Sequence, residues 1–129
     1  MKNFAGASLK TGCSMNKTFE IIISCEHGGN LVPREYAYLF KGKEKLLSSH
    51  KGFDIGSYEL AGAIAEGLGV RCYYSEITRL LVDLNRSLKH PNLFSEIGWK
   101  VGHDEKLRIL EKYYHRYRNA IESVIAEKI

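Results

Sequence analysis

The chain has 129 residues, enough for one domain with a modest core and too few for two ordinary ones. With 44% hydrophobic residues, 26% charged residues, two prolines and no low-complexity stretch, its composition argues against disorder over most of its length. Nineteen Lys and Arg against fifteen Asp and Glu leave a charge of +4, a mild excess that suits anionic ligands and lacks the dense clustering of a nucleic-acid binder.

Residues 1–18 carry Lys2, Lys10 and Lys17 and no apolar run of signal-peptide length, so they read as a loose tail. Nowhere does the chain approach the roughly 20 apolar residues of a membrane span, and a soluble protein without membrane partners is expected. Cys13, Cys25 and Cys72 lie far apart with no CxxC pair, which points away from a zinc ribbon or disulfide framework and towards the cytoplasm. The first element is a strand over 19–24, where Ile21, Ile22 and Ile23 form the unalternating β-branched run of a strand buried on both faces, as in parallel sheets. It ends in Glu26-His27-Gly28-Gly29-Asn30, where two glycines allow a sharp turn or a close approach by another group. Polar side chains at a strand's carboxyl end occupy the place where open α/β sheets bind ligands.

Pro33 suits the first turn of a short helix over 34–40. A second helix is predicted over 55–68, with Ile55, Tyr58, Ala61, Ile64, Ala65 and Leu68 at helical spacing, Asp54 as its cap and Gly69 as its end. A strand over 70–74 follows, and then Leu80-Leu81-Val82 forms a second short strand or a loop leading into Asp83-Leu84-Asn85-Arg86. Residues 89–102, with a proline, two glycines and the single Trp99, form a long irregular connection. The final segment places Leu107, Leu110, Tyr114, Tyr117, Ile121, Val124 and Ile125 on one stripe behind Asp104 as N-cap, and is the longest predicted helix. This order fits an α/β layered fold.

Three constellations carry chemistry. His27 sits on rigid backbone at a strand end, suited to a metal or to a hydrogen bond at a turn, while Glu26 alternates to the other side. His50 to Gly56 supplies an imidazole and the Asp54 carboxylate, and Asp54 serves equally as helix cap or as ligand. In Arg79-Leu80-Leu81-Val82-Asp83-Leu84-Asn85-Arg86-Ser87 two guanidiniums bracket a carboxylate and a carboxamide, which suits either a bidentate carboxylate clamp or ion pairs that fix a turn.

Taken together, Ser24-Cys25-Glu26-His27-Gly28-Gly29-Asn30 with Val32-Pro33, then His50 to Gly56, then Thr78-Arg79 to Asp83-Leu84-Asn85-Arg86-Ser87 resemble the N-formylglutamate amidohydrolase family. The resemblance runs from Ile21 to Ser87 and more weakly through the final helix, and extends distantly to aspartoacylase-type zinc deacylases. It implies a three-layer α/β/α, zinc-exopeptidase-like domain, of which residues 19–129 form the N-terminal part. It also implies a hydrolase that uses a divalent metal, zinc, to cleave N-formylglutamate or a related N-acyl acidic amino acid, in the chemistry of histidine degradation. Carried onto matching positions, His27 is a metal ligand, Arg79 polarises the scissile carbonyl, and Asn85 and Arg86 face the substrate with Asp83 supporting them. Asn30 stands where the aspartoacylase-type pattern has a glutamate ligand, which makes Asp54 the candidate second ligand. The family pattern continues into a strand ending in Asp-x-His-Ser, whereas this sequence stops at Ile129, so a truncated domain with self-association through an exposed sheet edge is expected. The alternative is a non-catalytic remnant that binds a small carboxylate or a partner chain.

Overall fold

The computed structural model describes residues 9–10 and 18–129, so most of the tail expected over 1–18 lies outside the described residues. β1 (Leu9–Lys10) pairs antiparallel with β2 (Thr18–Phe19). β3 (Ile23–Cys25) comes next, so the single strand expected over 19–24 is divided between two sheets. A 3-10 helix covers Arg34–Phe40, where a short helix was expected after Pro33, and α1 (Glu44–Leu47) is a single turn.

α2 (Ser57–Leu68) is the crossover between β3 and β4 (Cys72–Tyr74), which pair in parallel with Ser24 opposite Tyr73. The pairing continues as a bridge from Leu31 to Ile77. Gly29 permits this second contact, because a Cβ there would meet Glu76 Cβ and its carbonyl oxygen at 2.8 Å. α2 packs against both strands through a small core of Ala65, Val70 and Cys72, with Ile21, Ile23 and Ala61 against it.

The expected cap of α2 is overturned. The helix begins at Ser57 behind Gly56, a glycine at φ 85°, and no side chain caps it. Asp54 contributes its backbone carbonyl to Ser57 N at 3.0 Å, while its carboxylate is drawn away to Arg79 and His27. Ile55, assigned to the buried stripe from its spacing, is 68% exposed because it precedes the helix.

The main core is built largely outside regular structure. Leu81 and Val82 are fully buried in a loop, so that of the two sequence options for 80–82 the loop is the one adopted. Tyr36, Phe40, Leu93, Phe94, Ile97 and Val101 surround them, and Ile109 and Tyr114 close the cluster from the C-terminal helix. That helix runs as α3 (His103–Ile109), a π-helical segment (Leu110–His115) and α4 (Arg116–Lys128). Its N-cap is Gly102 rather than Asp104, which lies in the first turn, where a carboxylate still complements the helix dipole. Ile109 and Tyr114 are five residues apart, a spacing that an α-helix splays and the i→i+5 pattern brings to one side. Leu107 and Ile125, expected on the buried stripe, are 52% and 41% exposed. Among the described residues no helix is long and apolar enough to cross a membrane.

Candidate active site

Alternation along the end of β3 sorts its side chains. The Cys25 thiol donates to Ser57 Oγ of α2 at 3.4 Å, whereas Glu26 turns to the other side and accepts from the Tyr117 hydroxyl at 3.4 Å. His27 returns to the Cys25 side, and its carbonyl accepts from Asp54 N at 2.9 Å, which ties the strand end to the loop before α2.

The His27 ring lies between two carboxylates. Nε2 is 2.6 Å from Asp83 Oδ1 and Nδ1 is 3.3 Å from Asp54 Oδ2. Arg79 Nη1 lies 2.9 Å from Asp54 Oδ1 and 3.3 Å from His27 Nδ1. The Arg79 guanidinium is itself anchored on backbone, donating from Nε to Lys51 O at 3.1 Å and from Nη2 to His50 O. Asp83 also accepts from the Asn85 amide at 2.9 Å and pairs with Arg86 Nε at 3.6 Å. His27 and Asp83 are each 11% exposed at the side chain against 51% for Asp54, so the His27–Asp83 pair is the desolvated one.

The hydrogen bond to Asp83 raises the His27 pKa above its ordinary value, against burial. Burial pushes Asp83 up, yet the His27 and Asn85 hydrogen bonds with the charges of His27 and Arg86 outweigh it and hold its carboxyl below the usual range. The two directions agree on an imidazolium–carboxylate pair. His27's contribution to stability is complete below about pH 6.5 and is lost as pH rises through its raised folded pKa. Asp83's contribution is complete above about pH 3.9 and is lost as pH falls through its depressed pKa. Urea midpoints between about pH 5 and about pH 9 are therefore expected to fall more steeply for the natural chain than for His27→Gln. Parallel curves would mean that His27 is not held charged.

The structure thus gathers Asp54, Arg79 and Asp83 around His27, with Arg79 also paired to Asp54 and Arg86 attached through Asp83. Asp83, expected to support the substrate loop, has His27 as its closest partner. The exposed Asn85 side chain lines a groove of about 300 Å³ with His27, Asp54 and Ser57. A second cleft of about 450 Å³ is lined by Lys51, Arg79, Asp83, Arg86, Asn92 and Trp99 among others. The His50 side chain is exposed, and its contribution is the carbonyl that holds Arg79.

Sequence reasoning missed the groups behind the Asp83–Arg86 loop. Tyr114 donates its hydroxyl to Arg86 O at 2.6 Å, and Arg118 Nη1 donates to Leu84 O at 3.3 Å. Tyr114 looked like one more apolar residue of a stripe; only its phenol, which needs a partner when buried, hinted otherwise.

A metal at this site has two candidate donors. These are His27 Nδ1 and Asp54 Oδ2, which lie 3.3 Å apart and would exchange their contacts with each other and with Arg79 for the ion. Asp83 on Nε2 is the carboxylate that orients a metal-bound imidazole in many zinc sites. Among the described residues no group of three His, Cys, Asp or Glu side chains stands ready to hold an ion.

Parallel strands joined by a crossover helix, with a desolvated histidine–carboxylate pair and guanidiniums at their carboxyl ends, define an enzyme-like α/β ligand site. The family model for N-formylglutamate amidohydrolase matches residues 19–128, and the chain belongs to that family of hydrolases. Among solved structures, gene product Atu2144 from Agrobacterium tumefaciens shares the fold with a TM-score of 0.75 and 23% identity. The match covers 83% of this chain and 45% of that one, so this chain spans less than half the length of that neighbour. No curated protein matches the sequence.

Proposed function

We propose that this site belongs to a metal-dependent amidohydrolase that cleaves an N-acyl acidic amino acid, with N-formylglutamate as the leading substrate. The observation that carries it is the position of His27 and Asp54 beside Arg79, at the edge of a cleft whose wall adds Lys51 and Arg86. Three cations on one cleft suit the carboxylates of an acylated acidic amino acid, and Arg86 offers a planar fork for bidentate binding. Asn85 reaches the amide from the adjoining groove. His27 Nδ1 and Asp54 would hold a divalent metal, zinc for preference, with a third ligand from outside the described residues. Such a metal supplies Lewis-acid polarisation of the acyl carbonyl and activation of water. Arg79 stabilises negative charge that develops on the carbonyl oxygen, held in place by the Lys51 and His50 carbonyls. Asp83 keeps the Nε2 proton of His27 and so turns Nδ1 towards the metal side. The wider fold in this proposal is a three-layer α/β/α domain of the cytoplasm, with 19–129 as its N-terminal part.

Purified chain incubated with N-formylglutamate and zinc, cobalt or iron is expected to release formate. Arg86→Ala should lower kcat/KM roughly ten- to hundredfold, the loss of one charge-assisted bond. Absence of formate with every metal would remove the catalytic claim for this chain. Calorimetric binding of glutarate without metal, lost in Arg86→Ala, would then establish a carboxylate-binding remnant instead.

A further inference from the structure

A groove of about 380 Å³ lies apart from His27, between β4 and the C-terminal helix. Five consecutive residues of the strand segment, 71–75, line it. Tyr117 of the C-terminal helix spans it to the strand, donating its hydroxyl to Tyr73 O at 3.3 Å, and beyond this contact lies the edge of β4 that faces away from β3. Among the described residues β4 pairs only with β3, which leaves that edge open. The opposite wall is one helix face, built from Lys112, Tyr113, Arg116, Tyr117 and Ala120. Three cations rim it. Lys112 is paired with Glu35 at 2.9 Å, whereas Arg71 and Arg116 have no carboxylate partner among the described residues. Arg71 instead lies 4.7 Å above the Tyr73 ring.

From the open edge, the helical wall and the two unmatched guanidiniums, we infer that this groove docks an extended acidic polypeptide segment, which adds to β4 as a strand. Main-chain pairing with β4 supplies affinity, and acidic side chains meeting Arg71 and Arg116 supply selection. Residues 1–18 of the chain are not the occupant in charge, since they hold three lysines and no acid. A second copy seated edge to edge through β4 would bring a second Arg71 and Arg116 to the interface in place of acids.

The test is fluorescence anisotropy of the full chain with a labelled peptide alternating Glu and Val. Saturable, salt-weakened binding is expected, with no comparable binding of the Lys–Val peptide. The exposed double variant Arg71→Glu, Arg116→Glu should lose roughly tenfold or more in affinity for Glu–Val and gain it for Lys–Val, a swap that misfolding cannot produce. Absence of Glu–Val binding, equal binding of a peptide with proline in place of alternate valines, or indifference to charge reversal would each overturn the inference. So would sedimentation showing that the groove is closed by self-association that the double variant abolishes.

Discussion

Replacing Asp83 with alanine is expected to cost about 3 kcal/mol of stability, the scale for removing one partner of a desolvated charge pair. Asp83 is 8% exposed and satisfies His27 Nε2, the Asn85 amide and Arg86 at once. Its loss leaves a buried imidazole that must shed its proton or stay uncompensated, and leaves the Asn85 amide without its acceptor. Asp83→Asn should fall between the two, because a carboxamide oxygen keeps one acceptor and no charge. Urea unfolding at about pH 6, where both partners of the natural pair are charged, measures the difference. A loss under about 1 kcal/mol would show that His27 finds water or Asp54 as an adequate substitute.

Gly52→Ala is expected to be similarly damaging, about 3 kcal/mol, for a steric reason. A Cβ at Gly52 would run into the Leu47 carbonyl oxygen and approach Leu47 C at 2.8 Å and Cα at 2.9 Å. These are backbone atoms, so no side-chain rotation relieves the clash. Gly52 is also clamped from the other side, where the fully buried Thr78 donates Oγ1 to Gly52 O at 2.9 Å. Displacing the loop moves the His50 and Lys51 carbonyls that hold Arg79, so carboxylate binding should weaken together with stability. An alanine variant that unfolds at the natural midpoint would mean that the 47–52 turn is looser than its packing indicates.

The sequence was informative where a local pattern has a single physical solution. The Ile-rich run before Glu-His-Gly-Gly marks where the strand ends, but only Ile23 of it lies in β3, and the exposed Ser24 shows that the strand is not covered on both faces as the run implied; alternation alone sends Glu26 away from His27. Pro33 marks the short helix that follows it, which is a 3-10 helix, and helical spacing places the crossover helix closed by Gly69. It misleads at Asp54, because a carboxylate before a helix is equally suited to a cap and to an ion pair, and Arg79, 25 residues later, tips the balance. It misleads again in the last helix, where a π segment shifts the stripe in a way no α-helical period contains.

By itself the sequence determined the strand-end histidine, the motifs that mark the amidohydrolase family and the residue types available for carboxylate binding, since these depend on neighbours along the chain. The tertiary structure alone decided that His27 is shared by Asp54 and Asp83, that Arg79 hangs on the Lys51 and His50 carbonyls, and that Tyr114 supports Arg86. Each joins residues 27 to 56 positions apart, and such pairs form only when the crossover helix and the buried 80–82 loop bring those segments together.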